Sequence, residues 1–316
     1  MKLNEIMVSV CIPTYNHEKY IMQAIESVLR QKTNYSYEVL IGEDCSTDQT
    51  REILKRFETV KPDFVHIIFR EENMNSKKIY NALDLRMRAR GKYVITLEGD
   101  DFWISDEKIE KEVSFLEENP SIVAVAHNCI VVDEDSKEKN EKYIECHDEH
   151  YSIKHFVYGI MPGQFATIMH KNYYKDNIID TWLMDEHLMI PGDKRMVFSL
   201  LSYSNIYCIQ ESLSAYRHVV KGGSSYSANS MYSFVDEETF AKALIEYSAR
   251  INRTDLLKAA ESLYLLALVV ALFKGKISVC YLFRQFFHFN HKLSAIVWLV
   301  KRYIYKKKTR VHCGLN

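Results

Sequence analysis

The stretch YVITLEGDDFW, residues 93–103, is apolar and β-branched up to Leu97 and then presents Glu98, Asp100 and Asp101. Carboxylates this close repel one another and stay ionised only when solvated or when a cation sits among them. A hard divalent cation such as Mg2+ takes oxygen ligands, often one or two protein carboxylates, and leaves positions for water and phosphate oxygens. Glu98 and Asp100 at the end of an apolar run suit that use, with the cation bridging the protein to a diphosphate and stabilising charge as the diphosphate leaves. The plain alternative is a solvated acidic turn.

Such a group needs a frame, and the surrounding periodicity supplies one. Short apolar runs at 7–13, 37–44, 64–69, 93–98 and 121–132 read as strands. Helical stripes at 19–31, 47–60, 76–89 and 106–119 separate them, the second capped by Ser46 or Thr47 and the last stopping before Pro120. Alternation of this kind predicts right-handed crossovers and an α/β domain with a mainly parallel sheet. Ligands of open α/β sheets lie outside the carboxyl ends of the strands. Three of those ends carry Thr14–Tyr15–Asn16, Glu43–Asp44 and Glu98–Asp101. Beyond a polar stretch at 132–151, the sequence predicts strands at 164–170 and 205–218 and a helix over 193–203. A loop at 219–230 follows, with Gly222 and Gly223 as hinges. From Asp236 onward the pattern is helical and amphipathic.

The passages VSVCIPTYNHEKYIMQAIESVLRQ, EVLIGEDCSTDQTREIL and ARGKYVITLEGDDFW occur in that order. Together they resemble family 2 glycosyltransferases of the GT-A fold, and LEGDDFW…EKEVSFLEENPSI resembles the branch that assembles bacterial surface polysaccharides. The resemblance covers about residues 7–225. It implies an inverting, metal-dependent hexosyltransferase with a nucleotide-sugar donor, a UDP-sugar by expectation, and Mg2+ or Mn2+ as cofactor. Pro13, Thr14 and Tyr15 would line the base pocket, and Asp44 would accept hydrogen bonds from uracil or ribose, as an ionised carboxylate does. Glu98, Gly99 and Asp100 would form the D-x-D motif, with Glu98 in place of its first Asp and Asp100 as principal metal ligand. Asp193, after Pro191–Gly192, resembles the catalytic base, with Asp185 and Glu186 as weaker candidates; an N-cap is its alternative role. Arg217 would pair with phosphate. His218 would ligate metal or contact phosphate, and Lys221 would clamp phosphate. For Tyr15, Asp44 and His218 the alternatives are helix packing, a turn cap and an ordinary strand end. Trp103 is expected as wall or packing.

The charge distribution concerns the remainder. Net charge is −1, yet residues 262–316 hold ten Lys/Arg and no acid, leaving 31 basic against 42 acidic groups before them. The tail mixes that charge with apolar clusters, the longest clean run being the 11 residues LYLLALVVALF. Spanning a bilayer takes about 20 residues, so the tail reads as an interfacial, membrane-associating element. Its alternative is a helical cap over the catalytic domain or over a second subunit, as in a homodimer. Nucleic acid is not an expected partner, because the acidic body has no basic groove. Seven scattered cysteines without a C-x-x-C pair, and no visible signal peptide, point to a reducing cytoplasm. The expected division is a GT-A domain over 1–230 (nucleotide half 1–130, acceptor half 131–230) and a helical region over 231–316. The acceptor would be a glycan or lipid-linked sugar. Two other classes compete: a non-catalytic nucleotide-sugar-binding or scaffolding subunit, and a nucleotidyltransferase. The latter needs a Gly-rich loop after the first strand, which PTYNHEKY lacks.

Overall fold

The computed structural model describes residues 5–74, 80–143, 146–177, 179–185, 192–219 and 233–312. The chain forms two compact units, each drawn from several segments: 1–151, 162–178 and 204–230 in the first, 152–161, 179–203 and 231–316 in the second.

In the first unit, β1 (Val8–Thr14), β2 (Tyr37–Glu43), β3 (Val65–Phe69) and β4 (Tyr93–Thr96) pair in parallel in the order β3-β2-β1-β4. Val10, Ile12, Val39, Ile41 and Ile95 are fully buried between the covering helices, as central parallel strands require. The crossovers run through α1 (Ile21–Leu29), α2 (Thr50–Glu58) and α3 (Asn81–Arg88), and α4 (Lys108–Glu118) follows the acidic stretch. The fifth expected strand, β6 (Ala124–Val132), does not continue the parallel series. It is separated from β4 by β8 (Met169–Lys171), which runs antiparallel to both. Residues 165–167 of the strand expected there form a 3-10 turn instead. β9 (Ile206–Arg217) pairs in parallel with β6 and carries two short antiparallel neighbours, β5 (Phe102–Trp103) and β7 (His150–Tyr151). The sheet is thus parallel in its first half and mixed in its second. Between His127 and Cys129 the β6–β9 register skips, a bulge that re-aims the end of β9.

The second unit is helical: α5 (Ile153–Tyr158), α7 (Trp182–Asp185), α8 (Gly192–Leu201), α9 (Phe234–Arg250), α10 (Thr254–Phe273), α11 (Val279–Phe287) and α12 (Lys292–His312), the short α6 (Tyr173–Asp176) belonging to the first unit. The expectation that the tail helices are too short to span a bilayer fails for α10. Its first turns, TDLLKAAES, lengthen the helix to 20 residues, long and apolar enough to cross by length and composition. However, 56% of that apolar window is buried inside the protein. The helix also buries Glu261, whose carboxylate accepts the backbone N–H groups of Asn290 (2.6 Å) and His291 (2.8 Å) just ahead of α12. A core helix whose buried acid holds the turn into α12 accounts for both facts.

Candidate active site

Because β1, β2 and β4 are parallel neighbours, their carboxyl ends open on one sheet edge. The first two ends are joined by side chains reaching backbone. Ser46 Oγ accepts from Asn16 N–H (3.1 Å), Asn16 Oδ1 from Thr47 N–H (2.8 Å), and Thr50 Oγ1 from His17 N–H (2.8 Å). Asn16 and Cys45 sit at φ of 58° and 59°, left-handed turns that reverse each strand at its end. Thr14 is buried, whereas Pro13 and Tyr15 are half-buried on this edge. Asp44 is buried beside them. Its Oδ1 accepts from Met74 N–H (2.8 Å), and desolvation holds its carboxyl above the usual range. Its neighbour Glu43 accepts from Ser46 N–H (2.7 Å) and pairs with Arg51 (2.9 Å), which fixes the turn rather than presenting a ligand group.

β4 continues beside β1 past its last paired residue, with Leu97 N–H donating to Cys11 O and Gly99 N–H to Pro13 O. Any side chain at Gly99 would put its Cβ 2.7 Å from Thr14 Oγ1 and 2.8 Å from His17 Nδ1, so this close approach needs glycine. Around it, carboxylate oxygens of Glu98, Asp100 and Asp101 lie within 4.8 Å of one another. Exposure grades from Glu98 at the surface through Asp100 to buried Asp101. Asp101 accepts from Arg217 N–H (2.7 Å) and from Gln164 Nε2 (3.0 Å). Burial, and then the charges of Asp100 and Glu98, push its carboxyl well above the usual carboxylate range. An all-oxygen donor set in which two carboxylates raise the proton affinity of the third, buried one fits a hard divalent cation. Sequence reasoning missed His17. Its Nδ1 lies 3.2 Å from Thr14 Oγ1 and its Nε2 3.7 Å from Asp100 Oδ2, linking the ends of β1 and β4. The signal was a histidine three residues beyond Thr14, in the turn where the strand ends.

Two expected ligand-binding residues are engaged with partners inside the protein. Arg217 is only 3% exposed, and a guanidinium has five N–H donors. Nε donates to Asp100 O (2.8 Å), Nη1 to Asp133 O (2.8 Å) and Glu134 O (3.3 Å), and Nη2 to Gln23 Oε1 (2.8 Å) and Ser136 Oγ (3.1 Å). Its plane also covers the Tyr20 ring at 4.1 Å. All five donors are engaged within the protein, so Arg217 ties the Asp100–Asp101 backbone to Gln23 and to residues 133, 134 and 136. His218, one residue beyond the strand, faces away from Arg217, as alternation dictates. Its Nδ1 lies 2.7 Å from Glu141 Oε1, and it is not part of the carboxylate group. Trp103 is fully buried under Lys108, so packing is its role. Asp193 is the second residue of α8 rather than its N-cap, and its Oδ1 accepts from Lys194 N–H (2.7 Å). Its residue surface is partly open, yet enough protein surrounds the carboxyl that desolvation raises it above the usual range. Asp185 ends α7; Glu186, Lys221, Gly222 and Gly223 lie outside the described residues.

Comparison with known proteins follows the same lines. The Staphylococcus aureus protein TarS (residues 1–349), solved in complex with UDP-GlcNAc, superposes with a TM-score of 0.60 at 18% identity over 94% of this chain and 80% of that one. At that identity the likeness shows the fold, a GT-A-like mixed α/β sheet. Among curated sequences, the putative teichuronic acid biosynthesis glycosyltransferase TuaG of Bacillus subtilis is 41% identical over 113 residues, 35% of this chain and 42% of its own length. An uncharacterized glycosyltransferase of Rickettsia felis is 30% identical over 255 residues, 79% of this chain and 38% of its own. The chain therefore spans about two fifths of the curated relatives it matches. The pattern described as Glycosyl transferase family 2 matches residues 9–175, more than half of the chain and all three strand ends that build the acidic edge. By that match this chain belongs to glycosyl transferase family 2.

Proposed function

We propose that this chain transfers a sugar from a nucleotide-sugar donor, a UDP-sugar, to a glycan or lipid-linked acceptor in bacterial surface-polysaccharide assembly, inverting the anomeric centre in the cytoplasm. The observation that carries the reading is the convergence of Asp44, Thr14–Tyr15 and the Glu98–Asp101 carboxylates on one edge of the parallel strands. Asp44, buried and already oriented by Met74 N–H, has acceptor capacity for the N–H and O–H donors of a base or ribose. Tyr15, half-buried at the strand end, offers a ring face to the base. Asp100, with Glu98, would hold Mg2+ or Mn2+, which supplies positive charge to a departing diphosphate. Arg217 and Gln164 fix Asp101, so the acidic turn is held in place before any ligand arrives. Asp193 is the proposed general base. Its raised carboxyl lies on the side that proton abstraction near neutral pH requires.

The test is release of nucleoside diphosphate from a panel of UDP- and GDP-sugars. Turnover is expected with one donor class, is abolished by EDTA, and falls about 100-fold or more in Asp100→Ala. Donor binding lost in Asp44→Ala but no turnover from any donor, with Asp193→Asn indistinguishable from the parent, would instead identify a non-catalytic binding subunit.

A further inference from the structure

Ten of the sixteen large apolar side chains exposed among the described residues fall between Phe273 and Ile304, so the exposure is local and not the scatter of an ordinary surface. α12 separates two faces cleanly. Inward, Ala295 is buried and Leu299 packs on the helical core, Trp298 and Tyr305 flank the Tyr158 ring of α5 at 6.4 Å and 4.9 Å, and Arg302 donates to Val157 O. Outward, Leu293, Ile296, Val297, Val300, Tyr303 and Ile304 recur at three- and four-residue spacing and are all exposed. α11 repeats the pattern in short form. Tyr281, Leu282 and Phe286 pack on the same core, while Val279, Phe283 and Phe287 stand outward one turn apart, and none of its residues is buried. A helix facing only water would carry polar residues at those outward positions.

The charges around this surface identify its partner. Lys274, Lys276, Arg284, Lys301, Lys307 and Lys308 are exposed, and the segment from 262 onward contains no acid. Pairing this face with itself in a second copy would bring two cationic segments together. A nucleic acid would match the charge but leave the apolar stripe in water. A surface that is negative outside and apolar beneath satisfies both features. We propose that the outward faces of α11 and α12 seat on an anionic lipid bilayer, with the apolar stripes at the acyl boundary and the lysines among the headgroups. The start and the middle of α12 are fixed in advance, because buried Glu261 holds the turn into it and Arg302 ties its middle to α5.

The inference rests on the helical unit alone and is independent of the transferase reading. Its test is flotation of the full chain with vesicles of phosphatidylcholine containing phosphatidylglycerol, beside vesicles of phosphatidylcholine alone. The parent is expected to float with the anionic vesicles and to detach in high salt. Phe283→Ser/Phe287→Ser, at positions already exposed, is expected to bind at least tenfold more weakly with unchanged thermal unfolding. Lys307→Gln/Lys308→Gln is expected to lose about 25-fold, roughly fivefold per charge. A folded parent that ignores anionic vesicles, or variants that float as well as the parent, overturn the proposal. So does light scattering that shows a dimer dissolved by the phenylalanine pair, which would assign the face to a second copy. Donor turnover measured on the same preparations reports separately on the transferase reading.

Discussion

At the scale of single residues the decisive one is Arg217. Its donors go to groups contributed by residues 23, 100, 133, 134 and 136, and its backbone N–H goes to Asp101. Lysine has three donors on one point and cannot reproduce that fork. Arg217→Lys is therefore expected to lower unfolding stability by about 3 kcal/mol, the range for breaking a buried, hydrogen-bonded charge. Urea denaturation checks the size. A phosphate-binding arginine would behave otherwise, with donor affinity lost and stability kept, and that result would favour the role read from sequence. The contrast shows what was legible. Glu98, Asp100 and Asp101 were visible because their chemistry is local to one strand end. The work of Arg217 was not, because Gln23 Oε1 lies 194 positions away and nothing in SAYRH announces it. His17 was missed for a similar reason, its value arising only when β1 and β4 are laid side by side.

At the scale of elements, α4 was readable from its apolar period, but the setting of its charges was not. Lys108 and Glu112, four residues apart, look like a solvated pair on a helix face. Both are fully buried, with Nζ 2.5 Å from Oε2, under β6, where His127 Nε2 lies 3.8 Å from Glu112 Oε1. His127 Nδ1 faces Asn128 O at 2.7 Å and so carries the proton, which leaves Nε2 as an acceptor opposite a carboxylate. Desolvation raises Glu112 from 4.5 to about 7 and pushes His127 well below 6.5. A proton on Oε1 resolves two facing acceptors, and glutamine supplies it permanently. Below pH 4.5, where Glu112 is protonated folded or unfolded, Glu112→Gln is expected to stay within about 1 kcal/mol of the parent, whereas Glu112→Ala, which strands Lys108, loses about 3–5 kcal/mol. Between pH 4.5 and about 7 the folded parent keeps a proton on Glu112 that the unfolded chain releases, so this contribution to stability falls as pH rises. His127 acts oppositely, losing stability as pH falls below 6.5, but it is present in parent and Gln variant alike. The stability of the parent relative to Glu112→Gln should thus decline across that window in denaturation series at fixed temperature. A flat difference would remove Glu112 as the titrating group. The two-residue strands β5 and β7 escaped sequence reading because so short a run carries no period.

At the scale of the whole molecule, chain order and packing part company. Helices α5 and α8 lie in sequence among elements of the sheet, yet they belong to the helical unit with α9–α12. α8 buries Met196, Val197, Phe198, Leu200 and Leu201, and the Phe198 ring meets Tyr247 of α9 at 6.3 Å. Tyr247 Oη donates to Asp180 O (3.1 Å), Arg250 pairs with Asp180 (2.7 Å), and Arg253 donates to Ser202 O. Sequence periodicity located α8 and the helical tail but not α5, and it could not say which partner covered which face, since any apolar stripe satisfies the same pattern. The consequence concerns a cut at residue 230, where the composition changes. Removing 231–316 takes away the cover of α8 and α5 together and opens a contiguous apolar surface, while the sheet keeps its own core around Val10, Ile41 and Ile95. A chain of residues 1–230 is therefore expected to aggregate, or to show hydrogen exchange at 153–158 and 192–201 faster by several orders of magnitude, with β1–β4 still protected. Unchanged protection of α8 in a monomeric 1–230 chain would mean that the tail is an appendage and not the other half of a core.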